Sequence, residues 1–223
     1  MIFVDSADRA ELLHALSLPY VKGFTTNPTL FLRALGVERL RVADYVSFAL
    51  DLVSLAASGT AVRDVMIQGV GAPDQIPTQA LAYKNALRDE RDKNLWIKLL
   101  PTADHLSLCP ELASLGCKTL VTAVFTPLQV QAALESGADG VAVYLGRLMK
   151  NDESWEGKVE TIARLIRLRE KTLLMASLSD PSKVEIALRY SDELTAPFAV
   201  IERLLHSPFS SAAIDAFGAQ VTD

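Results

Sequence analysis

Leu95-Trp96-Ile97-Lys98-Leu99-Leu100-Pro101-Thr102 is a short apolar run that holds one lysine and stops at a proline. Such a run suits a strand buried on both faces, which a parallel sheet covered by helices produces. Successive strand side chains alternate, so Trp96, Lys98 and Leu100 share one face. An ammonium in that setting costs on the order of several kcal/mol unless it is paired, reaches water or loses its proton. Two readings of Lys98 follow. Near the strand end its stem can snorkel and bring the charge to solvent. Held in the dry, its pKa falls, and the neutral amine becomes a nucleophile that can form a Schiff base with a carbonyl substrate.

Outward from this strand the chain alternates strands and helices. Ile2-Phe3-Val4, ending at Asp5, reads as strand one, followed by a helix capped by Ser6 or Asp8 and running to about Leu16. Strand two is residues 21–27, halted by Pro28. Helical segments follow to Leu35 and from Glu38 to Ala57, punctuated by Gly36 and Gly59. Strand three is residues 64–70, and the next helix runs from Ala72 to about Arg91 with Pro73 and Pro77 near its start. Beyond Lys98 the pattern predicts a helix over 103–115, strand five over 118–125 and a helix over 127–135. Strand six over 140–145 and a polar stretch over 150–153 lead to a helix over 154–169. Strand seven over 172–177, a helix opened by Asp180-Pro181, a weaker strand eight over 193–197 and a helical segment over 198–217, broken near Pro208, complete the chain.

Eight strands alternating with helices, with no linker or repeat between them, predict a single (β/α)8 TIM barrel over residues 1–223 with an additional C-terminal helix. A doubly wound open sheet is the competing arrangement. It would carry a glycine-rich phosphate fingerprint after strand one, and Asp5-Ser6-Ala7-Asp8 is not one.

Composition narrows the function. The chain has 223 residues, half of them hydrophobic, which is enough for one large core. A formal charge of −5 with interspersed signs marks no basic groove, so nucleic acid is not an expected partner. Cys109 and Cys117 form neither a disulfide framework nor a metal motif, which fits a reducing, cytoplasmic compartment. His14, His105 and His206 lack metal-ligand spacing, so neither a metal nor any other cofactor is expected. The start of the chain does not read as a signal peptide, and no apolar run is long enough to span a membrane.

Polar residues recur near the C-terminal ends of the strands: Asp5, Thr25 and Asn27, Gln68, Thr122, Tyr144 and Ser177. In a barrel these positions converge on one mouth, where active sites of this fold lie. Each has an ordinary explanation taken alone. Asp5 can cap a helix, Asn27-Pro28 can be a turn, Gln68 and Thr122 can fill strand ends, and Tyr144 can pack in the core. Their joint occurrence around Lys98 favours a site. Lys98 is then the Schiff-base nucleophile. A water held by Gln68, Thr122 and Tyr144 can relay protons, and Asp5 and Asn27 can bind substrate hydroxyls. Arg147, just past strand six, can hold a phosphate or can be an ordinary surface arginine. The helix after Ser177 would add backbone donors.

Val4-Asp5-Ser6-Ala7-Asp8, Thr25-Thr26-Asn27-Pro28-Thr29, the Lys98 strand through Pro101-Thr102, Thr122-Ala123-Val124, Tyr144-Leu145-Gly146-Arg147 and Ala176-Ser177 occur in the order of the small transaldolase family, which includes fructose-6-phosphate aldolases. The chain resembles that family over essentially its whole length. The resemblance implies Lys98 as the Schiff-base lysine, Asp5 as the acid-base or hydroxyl-binding aspartate and Asn27 as a donor to substrate. It implies that Gln68, Thr122 and Tyr144 hold the catalytic water, as in the aldolase branch. A glutamate and a phenylalanine commonly stand at the positions of Gln68 and Tyr144 in the transaldolase branch. It also implies a homo-oligomer, a pentamer or decamer, with C-terminal helices packed on neighbours. One departure stands out. After strand seven the family usually carries Ser-Phe-Lys or Ser-Phe-Arg, whereas this chain has Ser177-Leu178-Ser179.

The expected activity is a class I aldolase that reversibly cleaves a ketose phosphate such as fructose 6-phosphate into dihydroxyacetone and an aldehyde. The alternatives are a transaldolase that passes the dihydroxyacetone unit to an aldose phosphate, and a catalytically silent barrel that binds sugar phosphates.

Overall fold

Short runs of mainly β-branched and large aliphatic residues form the strands β1 (Ile2–Asp5), β2 (Val21–Thr25), β3 (Asp64–Gln68), β4 (Asn94–Leu99), β5 (Lys118–Val124), β6 (Gly140–Tyr144), β7 (Thr172–Ala176) and β8 (Glu193–Ala196). In this computed structural model, which describes residues 1–57, 62–87 and 93–220, they pair in parallel and in chain order. β8 returns to β1, so the sheet closes as a barrel. An open sheet is therefore excluded, and the fold is the (β/α)8 barrel with an extra C-terminal helix.

The two faces of each strand do different work. Outward residues such as Val4, Phe24, Val65, Ile67, Ile97, Leu99, Val141 and Met175 join the large core under the helices. Inward residues Phe3, Met66, Trp96, Leu120, Ala142 and Leu174 form a separate apolar layer inside the barrel. Two residues further along the same strands stand Asp5, Gln68, Lys98, Thr122, Tyr144 and Ala176. The period of two thus stacks a mainly polar layer directly on an apolar floor. Below that floor the Trp96 indole Nε1 donates to Asp64 Oδ1 at 2.6 Å, and the Lys118 ammonium lies 4.9 Å from the Trp96 ring centre.

The helices α1 (Arg9–Ser17), α2 (Pro28–Leu35), α3 (Val42–Ala57) and α4 (Ile76–Ala86) cover the first half of the barrel. Asp8 caps α1 through the amides of Ala10 and Glu11. α3 starts four residues later than the Glu38 expected from sequence. Pro73–Gln75 is a 3-10 turn rather than the first turn of α4. Gly59 and Arg91, expected as helix boundaries, lie outside the described residues.

The expected helix over 103–115 is two helices, α5 (Ala103–Leu106) and α6 (Cys109–Ser114). Pro110 lacks an N–H and clashes with the preceding turn, so a new helix begins there instead. α7 (Pro127–Glu135) carries a capping box between Thr126 and Gln129. Leu145, expected to end strand six, and Lys150 and Asn151, expected in the polar stretch over 150–153, belong instead to α8 (Leu145–Asn151), which starts at the strand end itself. α9 (Trp155–Leu168), α10 (Pro181–Ala187), α11 (Phe198–Ile201) and α12 (Pro208–Gly218) complete the chain. Among the described residues no helix is long and apolar enough to cross a membrane.

The Asp64–Trp96 bond gives the fold a testable anchor. Asp64 is 3% exposed, so losing its only described side-chain donor leaves a dry carboxylate unpaired. Trp96→Phe should lower the unfolding free energy by about 1.5–3 kcal/mol in urea titrations, the range for hydrogen bonds to charged groups. An unchanged midpoint would show that the bond contributes nothing.

Candidate active site

Lys98 is 4% exposed, and its ammonium donates to the Thr26 carbonyl at 2.9 Å. Burial lowers its pKa, and the negative charge of Asp5 opposes that shift. The snorkelling reading therefore fails, because the amine is enclosed. It lines a cavity of about 280 Å³ together with Asp5, Thr25, Asn27, Thr122, Tyr144, Arg147 and Ser177. Eight of the nine residues singled out from sequence thus meet in one space.

Gln68 is the exception. It pairs in register with Lys98 and faces inward by strand parity, yet it is not among the cavity-lining residues. Its carboxamide makes no hydrogen bond to Thr122 or Tyr144 among the described residues.

Asp5 is held by a one-way relay. Thr25 Oγ1 donates to Asp5 Oδ1 at 2.6 Å and stands 2.8 Å from Thr195 Oγ1. Thr25 has one proton and gives it to Asp5, so Thr195 must donate to Thr25. The relay crosses β8, β2 and β1 and leaves the second oxygen of Asp5 for other partners. Asn27 caps α2, its Oδ1 accepting from the Leu30 amide at 3.2 Å, which leaves the side-chain NH2 as its donor toward the cavity. The cap and the proposed binding role are therefore compatible.

On the opposite wall Thr122 Oγ1 and Tyr144 Oη are 3.4 Å apart, long for a direct hydroxyl–hydroxyl bond. The Tyr144 ring is set edge-on against Phe125, and the Arg147 guanidinium lies 4.9 Å from its centre. Arg147 sits on α8, just past β6.

The backbone around the mouth is unusual. Ala123 has φ 55° at a register shift between β5 and β6, and Ser177 has φ 63°. Both are non-glycine residues in the left-handed region, a costly conformation that concentrates at functional sites. A Cβ on Gly146 would fall 1.9 Å from the Ser177 carbonyl oxygen, so only glycine lets α8 approach the end of β7 this closely. The seven-residue α10 offers no free N-terminal anion site, because Asp180 caps it through the Lys183 amide at 3.2 Å.

Sequence reasoning missed Thr195, Arg33, Thr29 and Leu30 as lining residues. Strand parity in Glu193-Leu194-Thr195 signals the first. Spacings of three and four along α2 signal the others. His105, expected as structural, accepts from the Leu100 amide through Nδ1 at 3.3 Å and steadies the turn after β4. Cys109 and Cys117 are buried free thiols, with burial raising the pKa of each. No group of three or more His, Cys, Asp or Glu suited to a metal occurs among the described residues.

The model of the Transaldolase/Fructose-6-phosphate aldolase family matches residues 2–222. This chain belongs to the transaldolase/fructose-6-phosphate aldolase family. It is accordingly an enzyme of the transaldolase/aldolase type. It is 30% identical over 220 residues to a probable transaldolase of Syntrophobacter fumaroxidans, covering 96% of this chain and 93% of the relative. It is 31% identical to probable transaldolase 2 of Bacillus cereus, covering 97% and 95%. Among solved structures, 2,3-dimethylmalate lyase superposes with a TM-score of 0.65 at 12% identity over 98% of this chain and 81% of that one. A thiamine phosphate pyrophosphorylase from Pyrococcus furiosus superposes at 0.62 and 11% identity, over 91% and 92%. These two structural likenesses concern the barrel alone.

The buried amine has a consequence for stability. The folded pKa of Lys98 is lower than its ordinary 10.5, so between the two values the unfolded chain binds more protons. Stability contributed by this group therefore rises as pH increases through that window. Lys98→Met, of similar length and uncharged, should fold with a melting temperature at or above that of the wild type near neutral pH. It should also lack that alkaline rise. Parallel pH–stability curves for the two proteins would show that Lys98 is not desolvated.

Proposed function

We propose that this chain is a class I aldolase working through a Schiff base on Lys98, cleaving a ketose phosphate such as fructose 6-phosphate. The observation that carries the reading is the enclosed, pKa-lowered amine in a cavity that also holds a positioned carboxylate and the hydroxyls of Thr122 and Tyr144. The neutral amine adds to the substrate C2 carbonyl, and loss of water from the carbinolamine gives an iminium. A base takes the proton of the C4 hydroxyl, the C3–C4 bond breaks, and its electrons pass into the iminium to form an enamine. The aldehyde departs. Asp5, fixed by Thr25 with an oxygen left over, is suited to the base role.

The enamine carbon must then be protonated before water releases dihydroxyacetone. The Thr122–Tyr144 pair, too far apart to satisfy one another fully, is suited to hold the water that delivers this proton. Gln68 enters this proposal only as a neighbour of Lys98 in register. Asn27 and Ser177 are assigned to substrate oxygens and Arg147 to the phosphate. The barrel's chemistry requires no metal or cofactor in this scheme.

A second reading, transaldolase, is favoured by the names of the similar proteins. In it the enamine attacks an aldose phosphate instead of being protonated. Tyr144 tilts the choice, because a hydroxyl at that point can hold the water whose proton completes cleavage and is not needed for transfer. Free buried thiols accord with a reducing, cytoplasmic setting. A homo-oligomer is supported by α12, where every residue is exposed and Phe209, Ile214 and Phe217 are 88%, 66% and 66% exposed. Light scattering of the full chain should show an assembly, and charged substitutions at Phe209 and Phe217 should dissociate it. A monomeric wild type would refute this.

Borohydride reduction in the presence of dihydroxyacetone, followed by peptide mapping, should label Lys98. Label on another lysine would remove the assignment. Tyr144→Phe should lower release of free dihydroxyacetone by ~10²-fold, the scale of acid–base catalysis, and shift the balance toward transfer. Equal release and transfer rates in variant and wild type would show that Tyr144 has no part in protonation.

A further inference from the structure

The outer wall of the cavity has a charge pattern that the chain as a whole does not predict. The protein carries −5, yet the lining includes Arg33 and Arg147, and its one carboxylate is Asp5 at the deep end. The segment after β7 lines it with Ser177, Leu178 and Ser179, none of which carries a charge.

Ser179 is not a neutral end to that wall. Its Oγ accepts from the Lys183 ammonium at 2.6 Å. Lys183 lies on α10, and its stem runs back toward the mouth. A Cβ built on Gly146, the residue before Arg147, would stand 3.4 Å from Lys183 Cδ. The ammonium therefore reaches the rim between the end of β7 and the start of α8, one hydrogen bond from a lining residue although Lys183 itself does not line the cavity. It is also paired with Asp180 Oδ2 at 2.8 Å.

Asp180 does not depend on Lys183's ammonium for its place. Its Oδ1 accepts from the Ser182 hydroxyl at 2.5 Å and from the Lys183 amide. The Lys183 ammonium first, then the Ser182 hydroxyl and the Lys183 amide, hold its pKa well below the usual carboxylate range. An ammonium has three donors. One faces Asp180 and one Ser179, which leaves a third for a ligand at the rim. Asp180 is thus a fixed counter-ion that tempers the charge Lys183 presents.

We propose that Lys183 is a specificity-determining residue that supplies, beside Arg147 and through the rim at Ser179, a second positive charge for the phosphate of the substrate. The proposal rests on the sugar-phosphate reading of the site. It assigns opposite signs to two neighbouring residues: Lys183 attracts the anion and Asp180 weakens that attraction.

Glycerol 3-phosphate has no carbonyl and cannot form an imine, so its binding reads the anion site alone. Calorimetry on the wild type, Lys183→Met and Asp180→Asn tests the proposal. Lys183→Met should raise the dissociation constant about tenfold, a charge-assisted bond discounted for partial exposure. Asp180→Asn keeps a capping side chain and removes its charge, so binding should tighten. The ratio of kcat/KM for glyceraldehyde 3-phosphate to that for glyceraldehyde should fall in the first variant and rise in the second, mainly through KM. A purely structural role for the Lys183–Asp180 pair would move both variants the same way, and that result overturns the proposal. So does wild-type binding in Lys183→Met, or no binding by the wild type. Labelling of Lys98 in the last case would leave the aldol reading standing. Failed labelling with opposite shifts in the two variants would leave the anion site standing without the aldol chemistry.

Discussion

An amine buried inside a barrel at the floor of its mouth cavity, one inward position above an apolar layer, is the constraint on which this structure turns. Lys98 can occupy that place only because the space around it is partly polar. The Thr26 carbonyl accepts one of its protons, and Asp5 supplies an opposing charge without eliminating the desolvation. The floor of Phe3, Met66, Trp96, Leu120, Ala142 and Leu174 keeps water from approaching from below. Reactivity and stability therefore pull against each other at one atom. The same dryness that makes the amine a better nucleophile makes its protonated form a liability to the fold.

The mouth is shaped by backbone as much as by side chains. Left-handed residues break the regular strand backbone at Ala123, within the register shift of β5, and at Ser177, just past β7. The contact between Gly146 and the Ser177 carbonyl lets α8 begin directly at the end of β6, so Arg147 comes from a helix anchored to the barrel. A group that must meet a small substrate at a fixed distance benefits from such a rigid support. The hydroxyl relay from Thr195 through Thr25 to Asp5 serves the same end on the opposite side, orienting a carboxylate through three adjacent strands.

Electrostatics separates the two ends of the cavity. The deep end holds a buried amine and a carboxylate whose negative charge opposes the effect of that burial. The outer end gathers cations on an acidic protein. Ser177-Leu178-Ser179 lacks the basic residue usual at this point in the family, and Lys183 stands one helical turn on with its ammonium against Ser179. A partly buried lysine with a bound counter-ion is a weaker attractor than a free one.

Sequence alone determined the elements whose rules are local. The period of two around Lys98, repeated in strand after strand, specified a parallel barrel and placed Asp5, Thr25, Thr122 and Tyr144 on its inner face, because side-chain direction in a strand depends only on position along it. Capping residues and prolines marked most helix starts for the same reason. What required the tertiary structure was adjacency through space. The split of α5 from α6, the helix at Arg147, the absence of Gln68 from the cavity lining, the place of Thr195 beside Thr25, and the reach of Arg33 and Lys183 to the rim all depend on register, closure and backbone approach between segments far apart in the chain. No single segment carries that information, since the energy that decides it arises only when β8 returns to β1 and the helices settle on the closed sheet.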